Sequence, residues 1–268
     1  MSAPQFGLGL VEIGRTWGYR PSAVPDEQEA LEFLRGAYEL GVRVFDTAPS
    51  YAYSEQRLGL FLKELTPEQR ATVTVATKFG ETWDFTRGEP VTAHDYDSLM
   101  ASLENSFRLL GRIEVLQVHK STTAVLRSGE VRCALDDARG MGVGVLGASV
   151  KDLDSAVIAC TEHPFTQMQF PFNAENRTML PAMEEARATG RQIYVNRPFG
   201  EGRLLHEGGS VQSCIEAVVR EEFQGAVLFG TRSLGHLKEN LAAFEAACAS
   251  VRTCHEITLP PLPSVTAR

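Results

Sequence analysis

Four polar side chains stand at or just beyond the ends of three consecutive β-branched runs. These residues are Asp46, Tyr51, Lys78 and His119. A tyrosine gives up its proton reluctantly, because its usual pKa is about 10, and a neighbouring lysine ammonium stabilises the phenolate. An aspartate can hold that ammonium in a partly dry pocket, and a histidine can orient a carbonyl group. The set therefore predicts proton transfer at a carbonyl oxygen.

Two of these residues, Asp46 and Lys78, also have alternative explanations. Asp46, followed by Thr47, could cap a loop, and a Lys–Asp pair at a barrel rim is often structural. Lys78 has a catalytic alternative too, because a lone lysine inside a barrel is where a Schiff-base lyase keeps its nucleophile. The residues alone leave these explanations open.

The elements that must position these residues alternate strictly along the chain. Strands are predicted at residues 7–13, 42–46, 73–77, 114–118, 144–148, 167–170, 192–196 and 226–229. Helices are predicted at residues 27–40, 54–64, 94–110, 129–139, 153–161, 174–189, 211–222 and 234–249. Eight alternating units without a linker predict one domain over residues 1–268, an α/β fold of the single (β/α)8 TIM barrel type. A doubly wound open sheet is the alternative.

The position of the four residues agrees with this barrel. Functional side chains of such barrels project from the C-terminal ends of the strands, and the predicted second, third and fourth strands end at or next to Asp46, Lys78 and His119. A Pro-rich tail, about residues 250–268, follows the last helix. We expect this tail to lie over the surface and to border the active-site mouth.

Composition and charge exclude several classes of protein. The 268 residues are 43% hydrophobic and 22% charged, which suits one well-packed core. The 26 basic and 34 acidic residues give a formal charge of −8, so nucleic acid is not an expected partner. The apolar stretches are short and interrupted, so no membrane is expected as a partner. Five scattered cysteines and an N-terminus without a signal-peptide pattern favour the cytoplasm. The six histidines lack metal-ligand spacing, so no metal site is predicted.

One formal motif match is rejected on its context. Residues 142–147, Gly-Val-Gly-Val-Leu-Gly, fit the GxGxxG dinucleotide fingerprint. The glycines lie in a predicted strand instead of between a strand and a helix, and no acidic residue ends a strand about 20 positions later. We interpret them as barrel packing.

A longer segment around Asp46 resembles a known family. The run from Phe45 to Tyr51, Phe-Asp-Thr-Ala-Pro-Ser-Tyr, continues to Ser54-Glu55 and Leu58-Gly59 and is similar to the Asp-Thr-Ala-x-x-Tyr segment of the aldo-keto reductases. Lys78 and His119 follow in the expected order. The resemblance implies NADPH as hydride source, Tyr51 as proton donor, Asp46 and Lys78 as the pair that lowers the pKa of Tyr51, and His119 as a hydrogen-bond partner of the carbonyl oxygen.

The resemblance also implies a cofactor site on the later strands. Ser149 and Gln169 would hold the nicotinamide carboxamide, although Val150 replaces the usual asparagine, and Arg197 replaces an aromatic residue that stacks on the nicotinamide. Arg232 and His236 would face the adenosine 2′-phosphate, with Glu239 and Asn240 at the adenine. The full implied set is Ser149, Gln169, Arg197, Pro198, Phe199, Gly200, Gly202, Gly230, Thr231, Arg232, His236, Glu239 and Asn240.

The substrate is expected to be a small-molecule carbonyl compound. Four aromatic residues at loop positions are candidates to line its pocket: Trp17, Tyr53, Trp83 and Phe85. A second functional hypothesis is a subunit that binds NADPH as a sensor or regulator with little turnover. The sequence is compatible with a monomer or a weak homo-oligomer.

Overall fold

Eight parallel strands close into a barrel. The computed structural model describes the backbone of residues 4–162 and 164–258, and side chains as far as Val251. Neighbours around the barrel run β1-β10-β9-β8-β7-β6-β3-β2. The barrel strands are β1 (Gln5–Gly9), β2 (Val44–Asp46), β3 (Thr74–Phe79), β6 (Val115–Ser121), β7 (Val145–Val150), β8 (Gln167–Pro171), β9 (Gln192–Asn196) and β10 (Gly225–Gly230). The predicted TIM barrel is confirmed, and the open sheet is excluded.

Helices follow the strands and cover the outside of the barrel. The helices after the first strand and up to β6 are α1 (Val11–Gly14), α2 (Glu27–Glu39), α3 (Ser54–Leu62), α4 (Pro67–Ala71) and α5 (Tyr96–Leu110). The later helices are α6 (Thr123–Leu126), α7 (Gly129–Gly140), α8 (Leu153–Thr161), α9 (Leu180–Thr189), α10 (Arg203–His206), α11 (Val211–Val219) and α12 (Leu234–Thr258). Among these, α8 has the predicted bounds.

Helix α2 illustrates why the sequence forms these elements. The Asp26 side chain accepts from the Glu29 backbone amide at 2.8 Å, and the Glu29 side chain accepts from the Asp26 amide at 2.9 Å. This reciprocal capping box satisfies two amides that the first helical turn leaves free, and an N-cap of this kind stabilises a helix by about 1 kcal/mol. Ala30, Leu34 and Ala37 recur at helical spacing and are fully buried against the barrel. The same residues therefore specify both the helix and its packing.

Three predicted boundaries are wrong by four residues or more. The first strand was expected to reach Ile13, but it ends at Gly9 and the chain turns into α1. The helix expected to begin at Ala174 begins at Leu180, because the Asn173 side chain accepts from the amides of Glu175 and Asn176 and forms a turn there. The last helix continues to Thr258, so the tail does not begin at about 250. The prolines expected near the mouth lie outside the described residues.

A small hairpin between β3 and α5 was not predicted. Its strands, β4 (Glu81–Asp84) and β5 (Glu89–Thr92), pair antiparallel outside the barrel. The hairpin begins two residues after β3 ends, so it lies at the C-terminal edge of the barrel. Within the ranges that the structure describes, no helix combines the length and the apolar character needed to cross a membrane.

Candidate active site

The centre of the candidate site is a buried ion pair. Lys78 on β3 and Asp46 at the end of β2 are 1% and 2% exposed, and Lys78 Nζ donates to Asp46 Oδ2 at 2.8 Å and to the Thr47 carbonyl at 2.9 Å. Burial opposes the charge of Lys78, but Asp46 and Tyr51 outweigh it and raise the pKa of the lysine. The ammonium is therefore a fixed positive charge.

Tyr51 lies beside the Lys78 ammonium because the short 3-10 turn that carries it packs against helix α1. It ends a 3-10 turn, Pro49–Tyr51, and Lys78 Nζ lies 5.0 Å from the centre of its ring. Gly14, at the end of α1, has no Cβ, and one built there would overlap the Tyr51 carbonyl oxygen and lie 2.6 Å from the Ser54 amide. The absence of a side chain at Gly14 therefore lets the turn that carries Tyr51 pack directly on α1.

The net pKa of Tyr51 differs from the expectation. Burial raises the pKa of the phenol most strongly; Lys78 lowers it, Asp46 raises it and Arg15 lowers it slightly, and the net direction is upward. The sequence resemblance implied that Lys78 and Asp46 lower this pKa. Lys78 does so, but Asp46 acts in the opposite direction and the desolvation of the phenolate outweighs Lys78 in the ligand-free protein. Tyr51 is therefore fully protonated at neutral pH, as a proton donor must be.

His119 lies next to Tyr51 with its ring nearly perpendicular. The two ring centres are 6.2 Å apart at 84°. His119 Nδ1 lies 3.2 Å from Glu81 Oε2 and 3.4 Å from Ser50 Oγ. Burial first, and then Lys78 and other nearby cations, lower the pKa of His119 well below its usual range, so the imidazole is neutral.

A buried carboxyl group contacts the strand that carries Lys78. Glu55 on α3 accepts from Thr77 Oγ1 at 2.6 Å, directly before Lys78 in the chain. Burial raises the pKa of Glu55 to about 7, against the opposing effects of Thr77, Ser106 and Lys78. Glu55 therefore exchanges its proton near neutral pH.

The predicted residues meet in one cavity at the C-terminal ends of the strands. Its volume is about 850 Å³. Asp46, Tyr51 and His119 line it, while Lys78 lies beneath its floor. The predicted cofactor residues that also line it are Ser149, Gln169, Arg197, Pro198, Phe199, Gly202, Gly230, Thr231, His236, Glu239 and Asn240. Gly200 and Arg232 are not among its lining residues.

Two side-chain amides in this cavity fit a polar ligand. Gln169 Oε1 and Asn196 Oδ1 are buried, and no described residue donates a hydrogen bond to them. A buried amide oxygen without a donor is unfavourable, and a carboxamide N–H or a ribose hydroxyl would satisfy it. The residues present therefore fit a nicotinamide dinucleotide.

Arg197, in the loop after β9, stands where the resemblance implies a residue that stacks on the nicotinamide. In the structure its side chain contacts other residues of the protein. Arg197 has a left-handed backbone, with φ of 57°, and pairs with Glu201 at 2.9 Å. Its guanidinium lies 5.7 Å from the centre of the Trp17 ring. Arg197 thus links this loop to the loop after α1 across the cavity.

Near the predicted phosphate residues, the cavity is lined by a glutamate that was not predicted from the sequence. Glu12 on α1 lines the cavity, and its Oε1 lies 3.4 Å from where a Cβ on Gly230 would stand. Burial raises the pKa of Glu12, while Arg232 and His236 lower it. The predicted phosphate residues therefore share their surroundings with a carboxyl group.

The four aromatic substrate candidates separate into two groups. Trp17 lines the cavity, and Arg15 lies 5.1 Å from the ring centres of both Trp17 and Trp83. Tyr53 and Phe85 are about half exposed, and their ring centres lie 5.1 Å apart with the ring planes tilted by 51°. Neither they nor Trp83 are among the residues that line the cavity.

Sequence reasoning missed several residues of the site. Arg15 lines the cavity with a buried Nε that no described residue accepts from, and Glu81, Lys120 and Lys151 line it as well. Lys120 directly follows His119 and Lys151 lies two positions after Ser149, and this closeness to predicted site residues is a signal that could have found them. Among the described residues, no group of His, Cys, Asp and Glu could hold a metal ion.

A family model matches most of the chain. Residues 5–213 match the model described as the aldo/keto reductase family. The chain belongs to this family. Membership was expected from the Asp46–Tyr51 segment and is confirmed. The homologues in this family are oxidoreductases that act on carbonyl and alcohol groups. The family generally uses nicotinamide dinucleotides.

Two curated relatives are similar to the chain at low sequence identity. The chain is 29% identical over 188 residues to the aldo-keto reductase YhdN of Bacillus subtilis, covering 67% of this chain and 53% of that protein. It is 28% identical over 189 residues to a versiconal hemiacetal acetate reductase of Aspergillus parasiticus, covering 59% and 54%. The chain thus spans about half the length of these curated relatives.

A solved structure matches over nearly its whole length. PA4992 of Pseudomonas aeruginosa, assigned to the aldo-keto reductases, is 27% identical, with a TM-score of 0.77. The match covers 92% of this chain and 91% of that chain. The barrel and its order of strands are therefore those of the family.

Proposed function

We propose that this chain catalyses the NADPH-dependent reduction of an aldehyde or ketone to the alcohol, and the reverse oxidation, with Tyr51 as general acid. The observation that carries the proposal is the protonated Tyr51 beside the buried Lys78–Asp46 pair, at the floor of a cavity large enough for a dinucleotide and a small substrate. When bound, NADPH supplies the hydride. The protein's own residues supply orientation and the proton.

The Lys78 ammonium has a role in that proton transfer. When the carbonyl oxygen gains negative charge, Tyr51 Oη donates its proton to it, and the phenolate that remains is stabilised by Lys78. Asp46 and the Thr47 carbonyl hold the ammonium where it is. In the direction of oxidation, the same phenolate accepts the hydroxyl proton.

NADPH is proposed over NADH because of the basic residues near the start of α12. Arg232 and His236 stand near the beginning of that helix, where free backbone amides also favour an anion. The orphaned oxygens of Gln169 and Asn196 support a nicotinamide at the other end of the cavity. The carboxyl group of Glu12, which shares these surroundings, opposes a phosphate.

The geometry does not favour a Schiff-base lyase. An amine nucleophile must be unprotonated, and enzymes achieve this by lowering the pKa of the lysine. Lys78 has a raised pKa and donates to a carboxylate and a carbonyl. A sensor that binds NADPH with little turnover uses the same site, and turnover itself separates it from an enzyme.

Replacement of Tyr51 by Phe tests the proposal. Removal of the acid should lower kcat for a panel of aldehydes and ketones by about 100- to 10,000-fold, because the aromatic ring stays and only the hydroxyl group that carries the proton is lost. Fluorescence titration should give unchanged affinity for NADPH, and weaker affinity for NADH in both proteins. Full activity of Y51F would disprove the role of Tyr51, and wild-type protein that binds NADPH without turning over any carbonyl would favour the sensor.

A further inference from the structure

Arg15 is a cation of the cavity whose side chain has no hydrogen-bond partner. It directly follows α1, is partly buried and lines the cavity. Its guanidinium lies 5.1 Å from the ring centres of both Trp17 and Trp83. The buried Nε has no acceptor, and no described residue forms an ion pair with this guanidinium. Two indole rings therefore hold a charge for which the described protein provides no polar partner.

The neighbours of Arg15 place it beside the proton donor. Trp83 belongs to the hairpin strand β4. Burial lowers the pKa of Arg15, while the charges of Tyr51 and Glu81 raise it. These neighbours follow β2 and β3, whereas the proposed cofactor contacts lie on or after β7 to β10. Arg15 is therefore in the part of the cavity where the carbonyl of a substrate must lie.

Two lysines add positive charge to the same part of the cavity. Lys120 and Lys151 both line it, and Lys120 Nζ lies 3.2 Å from Glu81 Oε1. Lys151 forms no ion pair with a described residue. Burial, and then the cations Lys120 and Arg197, lower the pKa of Lys151, because nearby like charges disfavour its charged form. An anion next to Lys151 would relieve this repulsion.

Lys120 reaches the cavity through a bulge in β6. Successive residues of a regular strand point to opposite faces, yet His119 and Lys120 both line the cavity. The register of β6 against β7 shifts between Val118 and Ser121, and Lys120 has a left-handed backbone with φ of 51°. Bulges re-aim side chains beside active sites, and this bulge brings an additional cation to the rim.

The charges in this part of the cavity do not balance. Glu81 contacts Lys120 and acts on the pKa of both Arg15 and Lys151, and one carboxylate cannot neutralise three cations. The neighbouring acid Asp152 caps helix α8. This local excess of positive charge occurs in a chain whose formal charge is −8. Positive charge concentrated in a cleft attracts an anionic ligand.

We propose that Arg15 and Lys151 bind a carboxylate of the substrate, so that the preferred substrates are oxo acids, that is, aldehydes or ketones that also carry a carboxylate. A guanidinium offers parallel N–H donors that match both oxygens of a carboxylate, and Lys151 adds a point charge. The carboxylate anchors the molecule while its carbonyl oxygen lies at Tyr51. The substrate class rests on the proposed carbonyl reduction; the carboxylate site does not.

Tryptophan fluorescence tests the carboxylate site without turnover. Trp17 and Trp83 are the two tryptophans of the chain, and both contact Arg15, so their emission reports on a ligand there. Titration of the ligand-free full chain with phenylacetate should give a saturable change. The neutral phenylacetamide should bind about 10- to 100-fold more weakly, the value of hydrogen bonds between charged groups. Equal affinity for the two compounds overturns the proposal.

Three variants assign this difference to the two cations. R15Q should abolish the preference for phenylacetate, whereas R87Q, at the exposed turn of the hairpin, should keep it. K151M should reduce the preference by about 2- to 5-fold, the value of an exposed ion pair. Because Lys151 is exposed, K151M tests the site even if R15Q is destabilised. A preference that persists in R15Q overturns the role of Arg15, and one unchanged in K151M overturns that of Lys151.

Paired substrates test the substrate class. With NADPH, the wild type should have a higher kcat/KM for at least one of 4-oxobutanoate, 3-carboxybenzaldehyde and 4-carboxybenzaldehyde than for the corresponding methyl ester. R15Q should lower this ratio of acid to ester by about 10- to 100-fold, and R87Q should keep it. The ratio is informative because loss of Arg15 also changes the pKa of Tyr51, which affects both members of a pair alike.

The outcomes separate the substrate class from the proposed function. A ratio of one or less in every pair overturns the substrate class. Weaker binding of NADPH by R15Q, as large as its loss of preference for the acid, would place Arg15 at the cofactor and also overturns it. If the wild type reduces neither the acids nor the esters, the proposed function fails, and the fluorescence titration still decides whether Arg15 binds a carboxylate.

Discussion

The two halves of the barrel rim differ in how far the protein satisfies its own polar groups. On the half formed by β2, β3 and β6, the charged groups are paired: Asp46 with Lys78, and Glu81 with His119 and Lys120. On the half formed by β8 and β9, Gln169 and Asn196 have amide oxygens without a donor. In the first half the charged groups have protein partners, and the one amide oxygen without a donor there, Gln117 Oε1 on β6, does not face the cavity. In the second half the amide oxygens of Gln169 and Asn196 face the cavity, where a ligand can satisfy them.

This difference indicates which half each kind of variant will affect. A change in the paired half removes a partner inside the protein and so affects folding as well as chemistry. A change in the unpaired half removes a group whose partner arrives with the ligand, so it affects binding and leaves folding intact. The following variants test this separation, in order of decreasing expected effect.

Replacement of Lys78 by Met should cost the most stability. It leaves Asp46 buried without its counter-charge, and breaking a buried pair in this way costs about 3–5 kcal/mol. Urea unfolding of the ligand-free protein measures the loss. The matched control is K63M, because Lys63 is exposed at the end of α3. A loss below about 1 kcal/mol would show that the paired half does not depend on this ion pair.

Glu55 gives the paired half a dependence on pH. Its pKa is about 7 in the folded protein and 4.5 in the unfolded chain, so the folded state holds a proton that the unfolded state has lost between these values. The contribution of Glu55 is therefore present below about pH 4.5 and is lost as the pH rises through 7, by about 3 kcal/mol in total.

The variant E55Q should remove this slope. Its free energy of unfolding, relative to that of the wild type, should rise by up to about 3 kcal/mol from about pH 5 to about pH 8. Thermal and urea unfolding across this range give the difference. E104Q, on the exposed side of α5, serves as the control and should follow the wild type. A constant difference between E55Q and the wild type at all pH values would contradict the raised pKa.

Two glutamines on β8 test the unpaired half. Gln167 and Gln169 are both buried with orphaned Oε1 atoms, but only Gln169 lines the cavity. Replacement of either by Met should leave ligand-free stability within about 1 kcal/mol of the wild type or raise it. Only Q169M should bind NADPH more weakly, by about 3- to 10-fold, the value of one hydrogen bond. Equal loss of affinity in both variants would show that the orphaned amide is no ligand contact.

The paired half was the easier one to predict from sequence. Asp46 and Lys78 lie at or near the ends of hydrophobic strands, and the geometry of a parallel barrel requires such residues to meet at one rim. Tyr51 follows within the same short segment. Local pattern and barrel geometry were therefore enough for these residues and for the order of strands.

Glu81 and Lys120 could not be predicted in the same way. Glu81 lies past the end of β3 in a hairpin without a strong strand pattern, and its partner His119 is 38 positions away. Lys120 would point away from the cavity in a regular strand, and only the bulge turns it inward. Likewise, the net pKa of Tyr51 depends on burial, which a list of neighbouring charges does not contain.

Gly14 has a consequence for how much this chain can vary. The position of Tyr51 depends on an atom that is missing, because even one methyl group at residue 14 would occupy the space of the Tyr51 carbonyl oxygen. Gly129, by contrast, faces open space and can accept a side chain. Random mutagenesis with selection for activity should therefore leave position 14 invariant and position 129 diverse, so that a glycine far from the reacting atoms is as constrained as the tyrosine it supports.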